Sequence, residues 1–180
     1  VPYCPRCGTP LSSHEVAQGY KDVKEKSAIA KFKVVGTDNV YFLAWTTTPW
    51  TLPSNVALCV GPEYKYVKVK CDNEYYILAE ALLESVLDKE YEVVEEYTGK
   101  DLEYMEYEPL FNFKKLDKKA YYVTCAEYVT LSDGTGIVHI APAFGEDDAR
   151  VGRKYDLPFL QLVNAKGEMT ADTPWEGKFC

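Results

Sequence analysis

The sequence predicts a mixed α/β domain in which strands outnumber helices, on three observations. Fifteen tyrosines, within an aromatic content of 14%, suit half-buried pleated surfaces. Short runs of alternating apolar and polar residues recur between turn signals such as Gly36-Thr37-Asp38-Asn39, Gly61-Pro62 and Asp72-Asn73. Helical spacing is confined to residues 79–87 and 146–155. At 180 residues and 47% hydrophobic, the chain is long enough for one domain with a sizeable core.

Taken in order, Cys4-Pro5-Arg6-Cys7-Gly8 places two thiols at the spacing of half a tetrahedral zinc site, with glycine letting the chain turn back around the metal. His14 is a candidate third ligand and Cys180 a weak fourth, but no second Cys/His pair follows at ribbon spacing. The expectation is that the partner ligands lie outside this chain; the bland alternative is a pair of plain thiols. Residues 12–26 are polar and read as irregular. Strands at 28–35 and 40–45 flank a turn and form a hairpin. Residues 56–60 read as a buried strand. Residues 64–71 alternate lysine with apolar residues and 75–78 return, a second hairpin.

Leu82, Leu83, Val86 and Leu87 give 79–87 its helical spacing, and 91–97 is another strand. The charged and aromatic stretch 101–119, with Pro109, is expected to be a surface excursion without assigned chemistry. Residues 120–126 and 137–140 are strand-like. Residues 146–155 form a helix with acids at its start and Arg150, Arg153 and Lys154 near its end, a polarity that suits the helix dipole. The tail turns at 165–167 and adds a strand.

Several function classes are disfavoured. The net charge of −8 gives no basic face to grip a phosphate backbone, so the chain is not expected to hold a nucleic-acid duplex unaided. No apolar run is long enough to span a membrane. The start, Val-Pro-Tyr-Cys-Pro-Arg-Cys, lacks both an initiator methionine and the lead of a signal peptide, and reads as part of an excised piece. Six cysteines show no disulfide-scaffold spacing, and Cys59 and Cys71 sit in strand-like contexts, which points to a reducing, cytoplasmic compartment. There is no Gly-x-Ser-x-Gly elbow, Walker loop, dinucleotide fingerprint or His-Glu-x-x-His motif, and the histidines are His14 and His139 alone.

Two segments carry chemistry. Trp45-Thr46-Thr47-Thr48-Pro49-Trp50-Thr51-Leu52-Pro53-Ser54-Asn55 follows a strand, and its prolines argue against regular structure. It can turn sharply and display hydroxyls between aromatic faces, a polar pocket with apolar walls; read alone, it is more simply a tight loop stiffened by proline, with the tryptophans as core anchors. Asp133-Gly134-Thr135-Gly136-Ile137-Val138-His139-Ile140-Ala141-Pro142-Ala143-Phe144-Gly145-Glu146-Asp147-Asp148 combines a glycine turn, a buried strand and an acidic helix start. Read alone, His139 is more simply a satisfied core histidine, and Glu146, Asp147 and Asp148 are dipole-friendly acids.

Together these segments resemble the editing (CP1) domain of isoleucyl-tRNA synthetase, a class I aminoacyl-tRNA synthetase, over nearly the whole chain. The related valyl and leucyl editing domains typically carry Thr-Thr-Arg-Pro where this chain has Thr-Thr-Thr-Pro-Trp. The resemblance implies a mixed α/β fold with a β-barrel-like core. It implies hydrolysis of valine wrongly esterified to tRNA(Ile), and of valyl-adenylate in a further role, by a positioned water. An apolar pocket rejects a substrate one methylene smaller by only roughly 1–3 kcal/mol, a limit for which this synthetase is the standing illustration, so a second, smaller sieve is needed.

By that resemblance Asp148 binds the substrate α-ammonium, with Asp147 as its rival, and His139 is a pocket wall that excludes isoleucine. Thr46, Thr47, Thr48 and Thr51 bind substrate and attacking water; Trp45 and Trp50 flank them, and Asn55 belongs to the same pocket. Cys4 and Cys7 correspond to half of a zinc site completed beyond the insertion. Residues 1–20 are then a zinc-knuckle half and linker, and 21–180 the editing domain. Editing needs no cofactor, and ATP serves only a catalytic body absent from this chain. The implied partners are the aminoacylated 3′ end of tRNA(Ile), its valine moiety and the remainder of the synthetase, with no membrane. The alternatives are a non-catalytic module that binds a tRNA 3′ end, or the editing domain of a valyl or leucyl relative.

Overall fold

A computed structural model describes residues 2–24 and 26–180. The chain divides into two compact units, Val1–Lys26 with Gln161–Cys180, and Ser27–Leu160. In the first, β1 (Tyr3–Cys4) and β2 (Thr9–Pro10) pair antiparallel across the Cys4-to-Cys7 turn. The helix α1 (Ser13–Gln18) follows, where polar composition predicts irregular chain. Its start is a capping box: Glu15 N–H donates to Ser12 Oγ at 3.3 Å and Ser12 N–H to Glu15 Oε2 at 2.8 Å, so two end donors are satisfied. The helix buries no residue, so it leaves no apolar periodicity to read. The expected tail strand reduces to isolated bridges, Val163 with Met169 and Glu168 with Phe179, around the turn at Gly167.

The second unit is built on an eight-stranded sheet: β3 (Ala28–Lys33), β4 (Val40–Thr46), β5 (Ala57–Val60), β6 (Lys65–Cys71), β7 (Glu74–Ala79), β8 (Glu92–Thr98), β9 (Tyr122–Cys125) and β10 (Ile137–Ile140). The spatial order is β8-β6-β7-β4-β10-β5-β9, with β3 on the other edge of β4. Both expected hairpins form, β3–β4 and β6–β7. The lysines alternating along β6 pair with acids of β8, Lys65 with Glu96 at 3.2 Å and half-buried Lys68 with exposed Glu95 at 3.1 Å, surface contacts worth ~0–1 kcal/mol each. β4 pairs in parallel with β7 at its start and with β10 at its end, so the sheet forks there.

This mixed α/β fold curls into a half-barrel, and residues 104–108 bridge its opening. On one side Val35 N–H donates to Glu106 C=O at 3.0 Å and Glu108 N–H to Lys33 C=O at 2.8 Å. On the other, Tyr104 N–H reaches Val123 C=O at 2.8 Å and Tyr107 N–H reaches Tyr121 C=O at 2.9 Å. The expectation of a surface excursion for 101–119 therefore fails at its start. α2 (Leu83–Val86) precedes this region and α3 (Gly99–Leu102) leads into it. Leu102 is fully buried and Tyr107 nearly so, with the Tyr107 ring edge-on to Phe32 at 5.1 Å in the main core. Aromatic–aromatic packing of this kind holds a short bridging segment that has no strand periodicity of its own.

The helix expected over 79–87 is likewise shorter: β7 runs through Ala79, one 3-10 turn covers Glu80–Leu82, and α2 adds a single turn. Leu82 and Leu83 are buried, which is the source of the helical spacing. The last helix, α4 (Glu146–Lys154), forms as its charge polarity predicts, with Arg150 bonded back to Asp147 at 3.2 Å and Glu146 at 3.6 Å.

Candidate functional site

β4 and β10 are parallel neighbours with Val138 opposite Trp45. Their carboxyl ends therefore open on the same edge, where parallel strands present ligand crevices. The threonine segment leaves β4 there and the 141–148 crossing leaves β10. Two stretches about ninety residues apart in sequence are thus brought together by strand pairing.

The threonine segment is more regular than its prolines suggest. Thr46 still belongs to β4, and Pro49–Ser54 form a 3-10 helix. Pro49 occupies the helix start, where its missing N–H leaves no bond unmade. The hydroxyls secure the bend. Thr48 N–H donates to Thr46 Oγ1 at 3.0 Å and Thr51 Oγ1 donates to Thr48 C=O at 2.7 Å. Thr48 Oγ1 lies 3.4 Å from Thr46 Oγ1 and 3.3 Å from Thr51 Oγ1. Thr47 is exposed, and among the described residues its hydroxyl makes no hydrogen bond.

His139 lies on the buried β10, 6% exposed. Its Nε2 is 2.7 Å from Thr51 Oγ1 and its Nδ1 3.3 Å from Asn55 Nδ2. Asn55, at the end of the 3-10 helix, donates from Nδ2 to Ala57 C=O at 2.8 Å and accepts at Oδ1 from the Tyr107 hydroxyl at 2.5 Å. Burial pushes the His139 pKa down to about 4, so the ring is neutral near pH 7. The residue is both a satisfied core histidine and part of the pocket.

Asp148, in the first turn of α4, accepts from Ala141 N–H at 3.0 Å through Oδ2; among the described residues Oδ1 makes no hydrogen bond. Burial raises its pKa, an effect the Ala141 bond opposes. Gly145 allows the carboxyl to lie close, since a Cβ there would come 3.2 Å from Asp148 Cγ. Asp147 is exposed and paired with Arg150, so geometry places Asp148 rather than its rival at the pocket.

Trp45, Thr46, Thr47, Thr48, Thr51, Val138, His139, Phe144 and Asp148 line one cavity of about 200 Å³. Pockets for drug-sized ligands run roughly 300–1,000 Å³, so this one is small. Trp50 reaches it indirectly, edge-on to Phe144 at 5.4 Å. Asn55 stands behind His139. The glycine turn shapes the wall: Gly134 has φ +77, and a Cβ there would meet Trp45 side-chain atoms at 2.9 Å. Sequence reasoning missed Val138 and Phe144 as walls and Tyr107 as the partner of Asn55. Val138 and Phe144 lay in plain view within the quoted motif; Tyr107 had no local signal at all.

Cys4 and Cys7 share one turn, with Cys7 N–H donating to Cys4 Sγ at 3.4 Å and Gly8 at φ +70. Those N–H bonds lower the Cys4 pKa, and the neighbouring Cys4 raises that of Cys7. The pair fits half of a tetrahedral shell. Among the described residues no group of three or more Cys, His, Asp and Glu is placed to hold a metal. All six cysteines are free, and Cys59, Cys71 and Cys125 are buried.

No family model matches the chain. It is 64% identical to the isoleucine–tRNA ligase of Clostridium acetobutylicum over 180 residues, which is 99% of this chain and 17% of that one. It is 48% identical to the isoleucine–tRNA ligase of Picrophilus torridus over 179 residues, with the same coverage. The chain thus spans about a sixth of the length of these ligases. Among solved structures, the P. knowlesi cytosolic leucyl-tRNA synthetase editing domain has a TM-score of 0.61 at 15% identity, covering 77% of this chain and 66% of that one. The P. falciparum counterpart gives 0.53 at 16% identity, covering 65% and 47%. The chain belongs to the isoleucine–tRNA ligase family, as a segment with the CP1 editing-domain fold.

Proposed function

We propose that the chain hydrolyses the ester of valine wrongly attached to tRNA(Ile), using a positioned water. The observation that carries the reading is one small cavity lined by a carboxylate, a neutral imidazole and a cluster of threonines. The Asp148 carboxylate suits an α-ammonium, a charge-assisted contact that distinguishes an aminoacyl ester from other esters. His139 and Val138 close the wall against a longer side chain. The Thr47 hydroxyl is free to hold water, while Thr46, Thr48 and Thr51 fix the loop around it. Water adds to the acyl carbon and the acyl–ribose oxygen bond breaks, giving valine and a tRNA with its terminal hydroxyl restored. Orienting water and ester together supplies the catalysis, and no cofactor enters the step. Valyl-adenylate presents the same valyl group on a different leaving group and fits the same reading.

Zinc at Cys4 and Cys7, completed by ligands from the rest of a ligase, belongs to this proposal, as do cytoplasmic location and docking of the tRNA 3′ end. No helix among the described residues is long and apolar enough to cross a membrane. The second reading, a module that binds the tRNA end without catalysis, draws on the cavity's histidine, which is hydrogen-bonded at both ring nitrogens and so is no free base. A valyl-adenosine ester separates the two. Hydrolysis by the wild-type chain, abolished in Asp148→Ala, supports the first reading; tight binding with the ester left intact supports the second.

A further inference from the structure

The four side chains Tyr107, Asn55, His139 and Thr51 form one line of hydrogen bonds from the barrel core to the threonine loop. Its polarity follows from donor and acceptor chemistry alone. A tyrosine hydroxyl donates to Asn55 Oδ1 at 2.5 Å, and the amide nitrogen of Asn55 faces the Ala57 carbonyl, which only accepts, at 2.8 Å. Turning the amide over would set its oxygen against that carbonyl. The second amide hydrogen is therefore left for His139 Nδ1, which must be an acceptor, so the proton of the neutral ring lies on Nε2. Nε2–H then donates to Thr51 Oγ1 at 2.7 Å, and Thr51 passes its own hydrogen to the Thr48 carbonyl at 2.7 Å.

We infer that Tyr107 is a positioning residue of the site: acting through Asn55, its buried hydroxyl holds His139 as the Nε2–H tautomer and so fixes the Thr51–Thr48 bend of the substrate loop. Tyr107 does not line the cavity; it reaches the loop from the segment that bridges β3 and β9. Two features of the fold support a role beyond filling space. The tyrosine is 2% exposed, and among the described residues its hydroxyl has a single acceptor, the Asn55 amide. Phenylalanine would fill the same core volume, keep the edge contact with Phe32, and lose only that bond.

The role assigned to Tyr107 in hydrolysis rests on the proposed function, but the tautomer does not. The test is nitrogen NMR of His139 in the whole chain, without substrate, in wild type and Tyr107→Phe, with hydrolysis of a valyl-adenosine ester measured alongside. The wild type is expected to show one tautomer, protonated at Nε2. In Tyr107→Phe the Asn55 amide keeps its Ala57 anchor but loses its second one, so the share of the Nδ1–H tautomer is expected to rise, and kcat to fall about tenfold with KM little changed, the factor that one buried hydrogen bond corresponds to. A wild-type ring protonated at Nδ1 overturns the inference without need of any variant. So does a folded Tyr107→Phe chain with both tautomer and kcat unchanged. If the tautomer shifts in the variant but the wild type hydrolyses no ester, the relay stands and the proposed function falls.

Discussion

Protonation of His139 gives the sharpest test of the site's electrostatics. Its pKa is pushed by burial from the ordinary 6.5 to about 4, while in the unfolded chain it returns to the ordinary value. The folded state therefore resists the proton that the unfolded state accepts. The stability this represents is fully present above about pH 6.5 and is lost as pH falls toward the folded pKa. At about 1.4 kcal/mol per tenfold in proton affinity, the loss between pH 7 and pH 4 is ~3 kcal/mol, a large share of the stability of an ordinary domain. Glu74 and Asp101, whose carboxyl pKa values are lowered by hydrogen bonds, lose their contributions at lower pH. Asp148 works in the opposite sense. Comparing wild type with His139→Gln removes these shared terms. Urea unfolding between pH 7 and pH 4 should show the wild type losing ~3 kcal/mol more than the variant. Parallel curves, or an NMR titration of His139 near 6.5, would refute the reasoning.

Further outcomes are expected from the same geometry. Asp148→Asn keeps an acceptor for Ala141 N–H but removes a charge that burial disfavours. It should melt higher at neutral pH, an advantage that starts to shrink as pH falls through the raised folded pKa of the wild-type carboxyl and is gone only below the ordinary carboxylate value of the unfolded chain. Gly134→Ala puts a side chain at φ +77 and a Cβ 2.9 Å from the Trp45 indole, so it should cost ~2 kcal/mol or more in urea unfolding and shift tryptophan emission. His139→Ala should open the cavity wall and let isoleucyl ester be hydrolysed; unchanged discrimination would remove His139 from the sieve. A metal assay of the isolated chain should find no tightly held stoichiometric zinc, because Cys4 and Cys7 supply only half a shell.

Much of the architecture was legible because local rules set it. Alternation with turn residues marks β3–β4 and β6–β7, and the acid-to-base polarity of 146–154 marks α4. Failures fell where a local signal was masked or imitated. The Ser12/Glu15 capping box was a readable signal that polar composition masked. The burial of Leu82 and Leu83 imitated a longer helix than the single turn that formed.

The site divides along the same line. The sequence by itself determined which side chains are the candidates: hydroxyls at and beyond the end of β4, an imidazole in β10 and a carboxylate in the first turn of α4, all within two recognisable segments. Only the tertiary structure decided that these segments share an edge, because parallel pairing of Trp45 with Val138 joins residues that no periodicity relates. It also chose Asp148 over Asp147, since one turns inward against Ala141 while the other meets Arg150 at the surface. Most of all it decided the place of Tyr107. A tyrosine in a charged stretch looks like surface until the half-barrel needs closing, and the buried hydroxyl then requires the partner that Asn55 provides.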